Sequence, residues 1–237
     1  MIGIIVALPE ELATLTTKKM VRGQCAFVAN NVMVICSGVG RDNAIKAANV
    51  LIAKGAKGLI SWGCAGALAR DLKAGDLLFP EKIIPAKGDS LRVSEHWLAH
   101  IKKNLPVIHR SVSLVESLAI IETSEKKKKL HQQTQAVAVD MESAAIVETA
   151  EKAGLKSLVI RTISDPVTLN FPPAVSYALN SDGEIMLAKL LRYLLTHPQQ
   201  IPALMKLGLN FKAAKNKLKA VAVHLDTIVG FDLNTTT

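Results

Sequence analysis

The chain has 237 residues, 49% of them hydrophobic and only 4% aromatic, with a formal net charge of +9. That length fits one large domain, or one domain with an appendage, and can bury a substantial core. No apolar run reaches the roughly 18 residues a membrane-spanning helix needs, no basic segment precedes the first apolar run as in a secretory leader, and three cysteines (Cys25, Cys36, Cys64) without C-x-x-C spacing argue for a reducing, cytoplasmic setting.

Residues 2–8 form a continuous apolar run, the pattern of a strand covered on both faces, and end in Pro9-Glu10-Glu11. An extended chain turns only one of Glu10 and Glu11 toward a given site. Val32–Cys36 is a second such run, followed by Ser37-Gly38-Val39-Gly40. Residues 43–54 then carry Ala44, Ala47, Ala48, Leu51 and Ile52 on one side of a predicted helix that Gly55 closes. With a strand at 58–62, residues 32–62 form a β-α-β unit, and Gly63-Cys64-Ala65-Gly66 stands at its end. Leu77–Ile84 is a further strand, and 94–104 a helix. Residues 124–133, with Lys126, Lys127, Lys128 and Lys129, are expected as a solvated helix or loop. A strand at 136–139 ends in Asp140-Met141-Glu142-Ser143, a helix follows over 141–153, and a strand at 157–163 ends in Ser164-Asp165-Pro166. Helices are expected at 184–196 and 203–225, with Pro198 and Pro202 between them. The boundary near 196–198 divides a catalytic body, 1–196, from a basic amphipathic helical tail, 197–237.

Five strand-like runs thus end in small polar or acidic motifs. Ligands of open α/β sheets bind just past the carboxyl ends of the strands, which points to an enzyme acting on a small molecule. Ser37-Gly38-Val39-Gly40 lets backbone N–H groups approach an oxyanion or a ribose at a helix N-terminus. A dinucleotide fingerprint would need glycine at position 43, where Asn43 stands, so no nicotinamide cofactor is expected. Gly63-Cys64-Ala65-Gly66 suits either close backbone packing or a wall for a flat base. Glu142 either complements a helix dipole or accepts from two neighbouring hydroxyls. Asp165, held extended by Pro166, is a turn former or a functional acid. His96 and His100 have metal-binding spacing but no third ligand nearby, so no metal is expected.

The positive charge is concentrated late. Residues 187–225 contain seven Lys or Arg and no Asp or Glu. No nucleic-acid motif or aromatic interleaving accompanies them, so no nucleic-acid partner is expected. An anionic membrane surface suits a basic amphipathic helix, and so does packing on the body or a second subunit.

Ile2-Gly3-Ile4-Ile5 with Glu10-Glu11, Ser37-Gly38-Val39-Gly40, Gly63-Cys64-Ala65-Gly66 with Gly75-Asp76, Ala138 through Ala144, and Arg161-Thr162-Ile163-Ser164-Asp165, in this order, resemble the nucleoside phosphorylase and nucleosidase superfamily. The shape is similar to methylthioadenosine/S-adenosylhomocysteine nucleosidases. Phe171-Pro172-Pro173-Ala174, Asp182-Gly183 and the segment from His197 to Leu204 resemble its hopanoid-associated branch, which removes adenine from adenosylhopane and carries a tail that ordinary nucleosidases lack. The resemblance implies a three-layer α/β/α fold with a central mixed sheet, a homodimer or larger homo-oligomer, no cofactor, and an adenosyl substrate whose N-glycosidic bond is hydrolysed.

It also implies roles. Asp165 is the acid that protonates or hydrogen-bonds purine N7. Glu11 is the base that activates water, and Glu142 holds the ribose 2′- and 3′-hydroxyls. Met141 touches the sugar. Ser37, Gly38, Gly40, Gly63, Cys64, Ala65 and Gly66 line the substrate, and the backbone of Ile163 and Ser164 meets the base. The phosphate-binding arginine of the phosphorylases is replaced by Ser61, which favours water; Arg41 remains a candidate phosphate ligand, so phosphorolysis is the alternative. A non-catalytic scaffold is a third reading. No aromatic residue lies between Leu98 and Asn170 to stack on a purine, so Leu118, Ala119 and Ile120 are expected as an aliphatic wall.

Overall fold

The computed structural model describes residues 1–105, 111–178 and 186–231. Strand β1 (Ile2–Val6) leads into the one-turn helix α1 (Pro9–Leu12). Then come β2 (Cys25–Ala29), β3 (Val32–Cys36), α2 (Arg41–Ala53), β4 (Gly58–Ala67), β5 (Leu77–Ile84), β6 (Leu91–Arg92), α3 (Glu95–Asn104) and β7 (Ser111–Glu116). Helix α4 (Ser124–Thr134), β8 (Ala138–Asp140), α5 (Ser143–Lys152) and β9 (Lys156–Asp165) complete the sheet. Helices α6 (Pro173–Ala178), α7 (Leu187–Thr196), α8 (Ile201–Ala222) and α9 (Leu225–Val229) follow, with a 3-10 turn at Pro198–Gln200.

The sheet is mixed. Its order is β2-β3-β1-β4-β8-β7-β5-β6, and β9 pairs with both β4 and β5. The ten-residue strands β4 and β9 run parallel from Gly58↔Lys156 to Gly66↔Asp165. Because side chains alternate across a strand, Ile4 and Val6 join the core on one face while Ile5 joins Met33, Ile35 and Leu51 on the other. Helices α2 and α5 cover that second face through Ala44, Ala48, Ala145 and Ile146. On the first face Leu12, Trp97, Ile101, Leu218 and Ile228 bring in α1, α3, α8 and α9. The expected α/β/α layering with a mixed sheet is therefore present.

Several boundaries differ from the sequence expectation. Gly63-Cys64-Ala65-Gly66 does not follow a strand that stops at Trp62; it lies inside β4, because β9 continues to pair with it. Asp165 is the last residue of β9 rather than part of a turn. Residues 124–134 are helical, but Lys127 is 1% exposed, so this segment is not a solvated one throughout. Strands β2, β6 and β7 had no prediction. Asp182 and Gly183, and the start of the helix expected at 184, lie outside the described residues.

The helix after Pro198 has two unlike halves. Ala214, Leu218 and Val221 are buried against the body, and the Thr162 hydroxyl donates to the Ala214 carbonyl at 3.2 Å. Farther along, the Trp97 indole donates to Ile228 O at 2.7 Å, and the cap of that tryptophan's helix donates from Ser94 N to Ser157 O. The α8–α9 segment thus descends from Thr162 toward the Ser157 end of β9. Its upstream half, before Ala213, projects past Thr162 on the Asp165 side, over about 18 Å at 1.5 Å per residue.

Candidate active site

Glu11 enters the site from α1 and is 4% exposed. Its Oε2 accepts from Ala7 N (3.0 Å) and Leu8 N (3.1 Å), and its Oε1 from Cys64 N (2.8 Å). Thr14 holds the turn: its hydroxyl donates to Glu11 O at 2.6 Å and accepts from the Trp62 indole at 3.0 Å. Glu10 is exposed; the two acids lie in the helical turn α1 rather than in the extended segment expected, and that turn separates them. Burial pushes the Glu11 carboxyl above the ordinary range, against the Arg161 charge and the three N–H donors.

Glu142 is the N-cap of α5, and Gly40 N donates to its Oε1 at 2.7 Å, tying it to the Ser37-Gly38-Val39-Gly40 turn. Gly38 and Gly40 have φ of 82° and 97°, conformations in which glycine carries no side-chain penalty. Burial first, then the Asp140 carboxylate, raise Glu142 to about 8; Gly40 N–H and Arg161 oppose the rise. Met141 beside it is half-buried.

Asp165 is 5% exposed. A bulge at Ser164 shifts the β4–β9 register so that Gly66 faces Asp165; bulges re-aim side chains in this way. Its Oδ1 accepts from the Ser164 hydroxyl at 2.7 Å and its Oδ2 from Lys127 Nζ at 2.5 Å. A Cβ on Gly66 would stand 2.8 Å from Oδ2.

The three carboxylates share one region. Arg161 acts electrostatically on Glu11, Glu142 and Asp140, while Cys64 feels both Glu11 and Asp165. Arg161 is 3% exposed; its Nε donates to Asp140 Oδ2 at 2.8 Å and its Nη2 to Ser61 Oγ at 2.6 Å. Burial drives the Cys64 thiol upward.

Other predicted site residues are placed differently. The Ser37 hydroxyl faces backbone oxygens of Val6 and Gly38 at 3.1 and 2.8 Å. Ile163 N donates to Asp76 O and its carbonyl accepts from Gly75 N, so its backbone is already engaged. Arg41 is gripped by Glu116 (3.0 and 2.8 Å) and by Glu148, which occupies the cation suggested for phosphate. Leu118 is 62% exposed and Ala119 is exposed, whereas the Phe171 ring lies 5.6 Å from Lys127 Nζ, next to Asp165. His100 Nε2 meets Thr227 O at 2.9 Å.

Sequence reasoning gave no role to Lys127, Arg161, Asp140 or Phe171. The arginine had a signal: a charge inside the apolar run 157–163. Phe171 stands just past the segment searched for an aromatic, and Lys127 was hidden among three exposed lysines.

A sequence model of the phosphorylase superfamily matches residues 1–191, and the chain belongs to that superfamily. A 5′-methylthioadenosine/S-adenosylhomocysteine nucleosidase of Buchnera aphidicola is 27% identical over 214 residues, covering 76% of this chain and 83% of its own. An aminodeoxyfutalosine nucleosidase of Helicobacter pylori is 26% identical over 155 residues, covering 56% and 67%. The Helicobacter pylori 5′-methylthioadenosine/S-adenosylhomocysteine nucleosidase structure, complexed with a pyrrolopyrimidine-bearing pyrrolidinol, superposes with a TM-score of 0.71 at 19% identity over 97% of both chains. That superposition takes in most of the residues past 196.

Proposed function

We propose that the protein hydrolyses the N-glycosidic bond of an adenosine-type nucleoside with a large apolar 5′ substituent, releasing adenine; an adenosylhopane-type compound of hopanoid synthesis fits that description. Glu11 is the base for water, Glu142 binds the ribose hydroxyls, and Asp165 is the acid at N7. Asp165, beside Phe171 and the glycine-lined end of β4, meets the base; Met141 and Gly38-Val39-Gly40 meet the sugar. The observation that carries the hydrolytic reading is the fixed geometry of Glu11, held by three backbone N–H groups beside Gly63. A positioned base within a water-sized distance of the sugar is the requirement for hydrolysis. Phosphorolysis requires a cation for phosphate, and Ser61 and the doubly paired Arg41 do not offer one. Nucleosidase relatives support the same class of reaction.

Support for an apolar 5′ group is drawn from the helices that follow the sheet. On α7, Leu187, Leu191 and Leu195 are 64, 55 and 84% exposed; on α8, Ile201, Met205 and Leu209 are 43, 64 and 64% exposed. Each set repeats every four residues, forming a ridge. Exposed Lys189, Arg192, Lys206 and Lys212 accompany them without an acid. This pairing of apolar ridge and cations suits peripheral contact with an anionic lipid surface, where such a substrate would reside. Among the described residues no helix is long and apolar enough to cross a membrane. A homo-oligomer and a cytoplasmic location complete the proposal, with residues 197–237 as a basic helical tail whose later part packs on the body; light scattering measures the first.

The test is product analysis on several adenosyl nucleosides, with and without phosphate. Adenine and free sugar, formed at a rate independent of phosphate, are expected. Sugar 1-phosphate as product would overturn hydrolysis, and no base release from any of them would overturn the functional reading.

A further inference from the structure

Lys127 is the only lysine that the fold buries among the described residues. Its neighbours Lys126, Lys128 and Lys129 are exposed. Thr123 caps α4, and the second turn of that helix aims Lys127 at the end of β9. Its Nζ donates to Asp165 Oδ2 at 2.5 Å, Pro166 O at 3.1 Å and Leu169 O at 3.4 Å. An ammonium has three donors, so all three have partners. The Phe171 ring lies 5.6 Å away and closes one side.

Burying an ammonium is expensive unless it is paired. A methionine or leucine would fill this position without that cost. Two uses could account for a lysine here. It could clamp the chain segment from Pro166 to Leu169, or it could serve the carboxylate of Asp165. The shortest of its three contacts is to the carboxylate.

Resting on the assignment of Asp165 as the leaving-group acid, we infer that Lys127 is its positioning residue and the source of the proton it delivers. The 2.5 Å contact sets an ammonium N–H directly on the Asp165 carboxylate. The ion pair brings a proton to the acid without requiring that the acid carry it beforehand. As the C1′–N9 bond breaks, its electron pair moves onto the purine, and a proton passes from Nζ to Asp165 and from Asp165 to purine N7. Water forms the new bond to C1′ and gives its proton to Glu11. The neutral Nζ is reprotonated from solvent as Glu11 releases that proton, so the cycle closes. Lys127 also fixes Oδ2 while the Ser164 hydroxyl fixes Oδ1, which sets the plane of the carboxylate.

The experiment compares two leaving groups. Adenine release is measured on whichever adenosyl nucleoside the wild-type enzyme cleaves, and 4-nitrophenolate release on 4-nitrophenyl β-D-ribofuranoside, whose leaving group needs no proton. Lys127→Met is expected to slow adenine release by about 100-fold through kcat, the size of a general-acid contribution, and nitrophenolate release by less than about threefold. As a second measurement, Lys127→Met added to Asp165→Asn is expected to slow adenine release no further, since residues acting as one unit are non-additive. Equal slowing of both leaving groups, or a further tenfold loss in the Asp165→Asn background, would leave Lys127 as a clamp on residues 166–169 and overturn the inference. Wild-type enzyme that releases no adenine at all would instead overturn the functional reading itself.

Discussion

A Cβ placed on Gly63 would lie 2.5 Å from Glu11 Oε1. The obstacle is not the loose end of a flexible chain, because that carboxylate is fixed by three N–H groups. Gly63→Ala is therefore expected to push Glu11 out of position and lower kcat by about 100-fold, the scale of a misplaced general base, while circular dichroism stays at the wild-type level. Wild-type turnover in the alanine variant would show that Glu11 has room to move and still act.

Glu142 makes stability depend on pH. Its folded-state pKa of about 8 lies above the unfolded value, so between about pH 4.5 and 8 the folded protein binds more protons than the unfolded chain. Stability from this group is complete below that window and lost as pH rises through it, at no more than about 1.4 kcal/mol per unit. Glu11, raised by burial, adds in the same direction. Thermal unfolding from pH 5 to 8.5 should show the wild type losing ground against Glu142→Gln as pH rises. Parallel curves would remove the assignment.

Arg161 is the buried cation that Asp140, Glu11 and Glu142 have in common. Arg161→Met leaves these carboxylates uncompensated and is expected to cost about 3–5 kcal/mol in urea unfolding. A loss below about 1 kcal/mol would mean the carboxylates are neutral in the folded protein without it.

The main strands and the three carboxylates were legible because both leave local marks: unbroken aliphatic runs, and acids or glycines where those runs were taken to end. The true ends of β4 and β9 were not, since glycine and serine weaken a strand pattern that neighbouring strands nevertheless continue. Strand β7, with Ser111 and Ser113, lacks a full apolar run and is held by partners on both sides. Lys127 was illegible for another reason. Nothing in a run of four lysines says which faces inward until α4 is set against the end of β9.

The ridges on α7 and α8 give a separate expectation. Flotation with phosphatidylglycerol vesicles should carry the wild-type protein, and Leu191→Glu with Leu195→Glu should leave it in solution with unchanged turnover of a water-soluble substrate. If the two substitutions change the oligomeric state instead, the face belongs to a second copy.

The division within α8 has its own energetics. Leu218→Ala empties a site with no exposed surface and should cost about 2–5 kcal/mol. Leu209→Ala, on the projecting half, should stay within about 0.5 kcal/mol. Urea midpoints distinguish the two, and equal costs would contradict the packing.

Because one helix both abuts β9 opposite Thr162 and runs on to an N-cap, Gln200, that accepts from Ala174 N, the strand that carries Asp165 and the segment around α6 are spanned by a single continuous element.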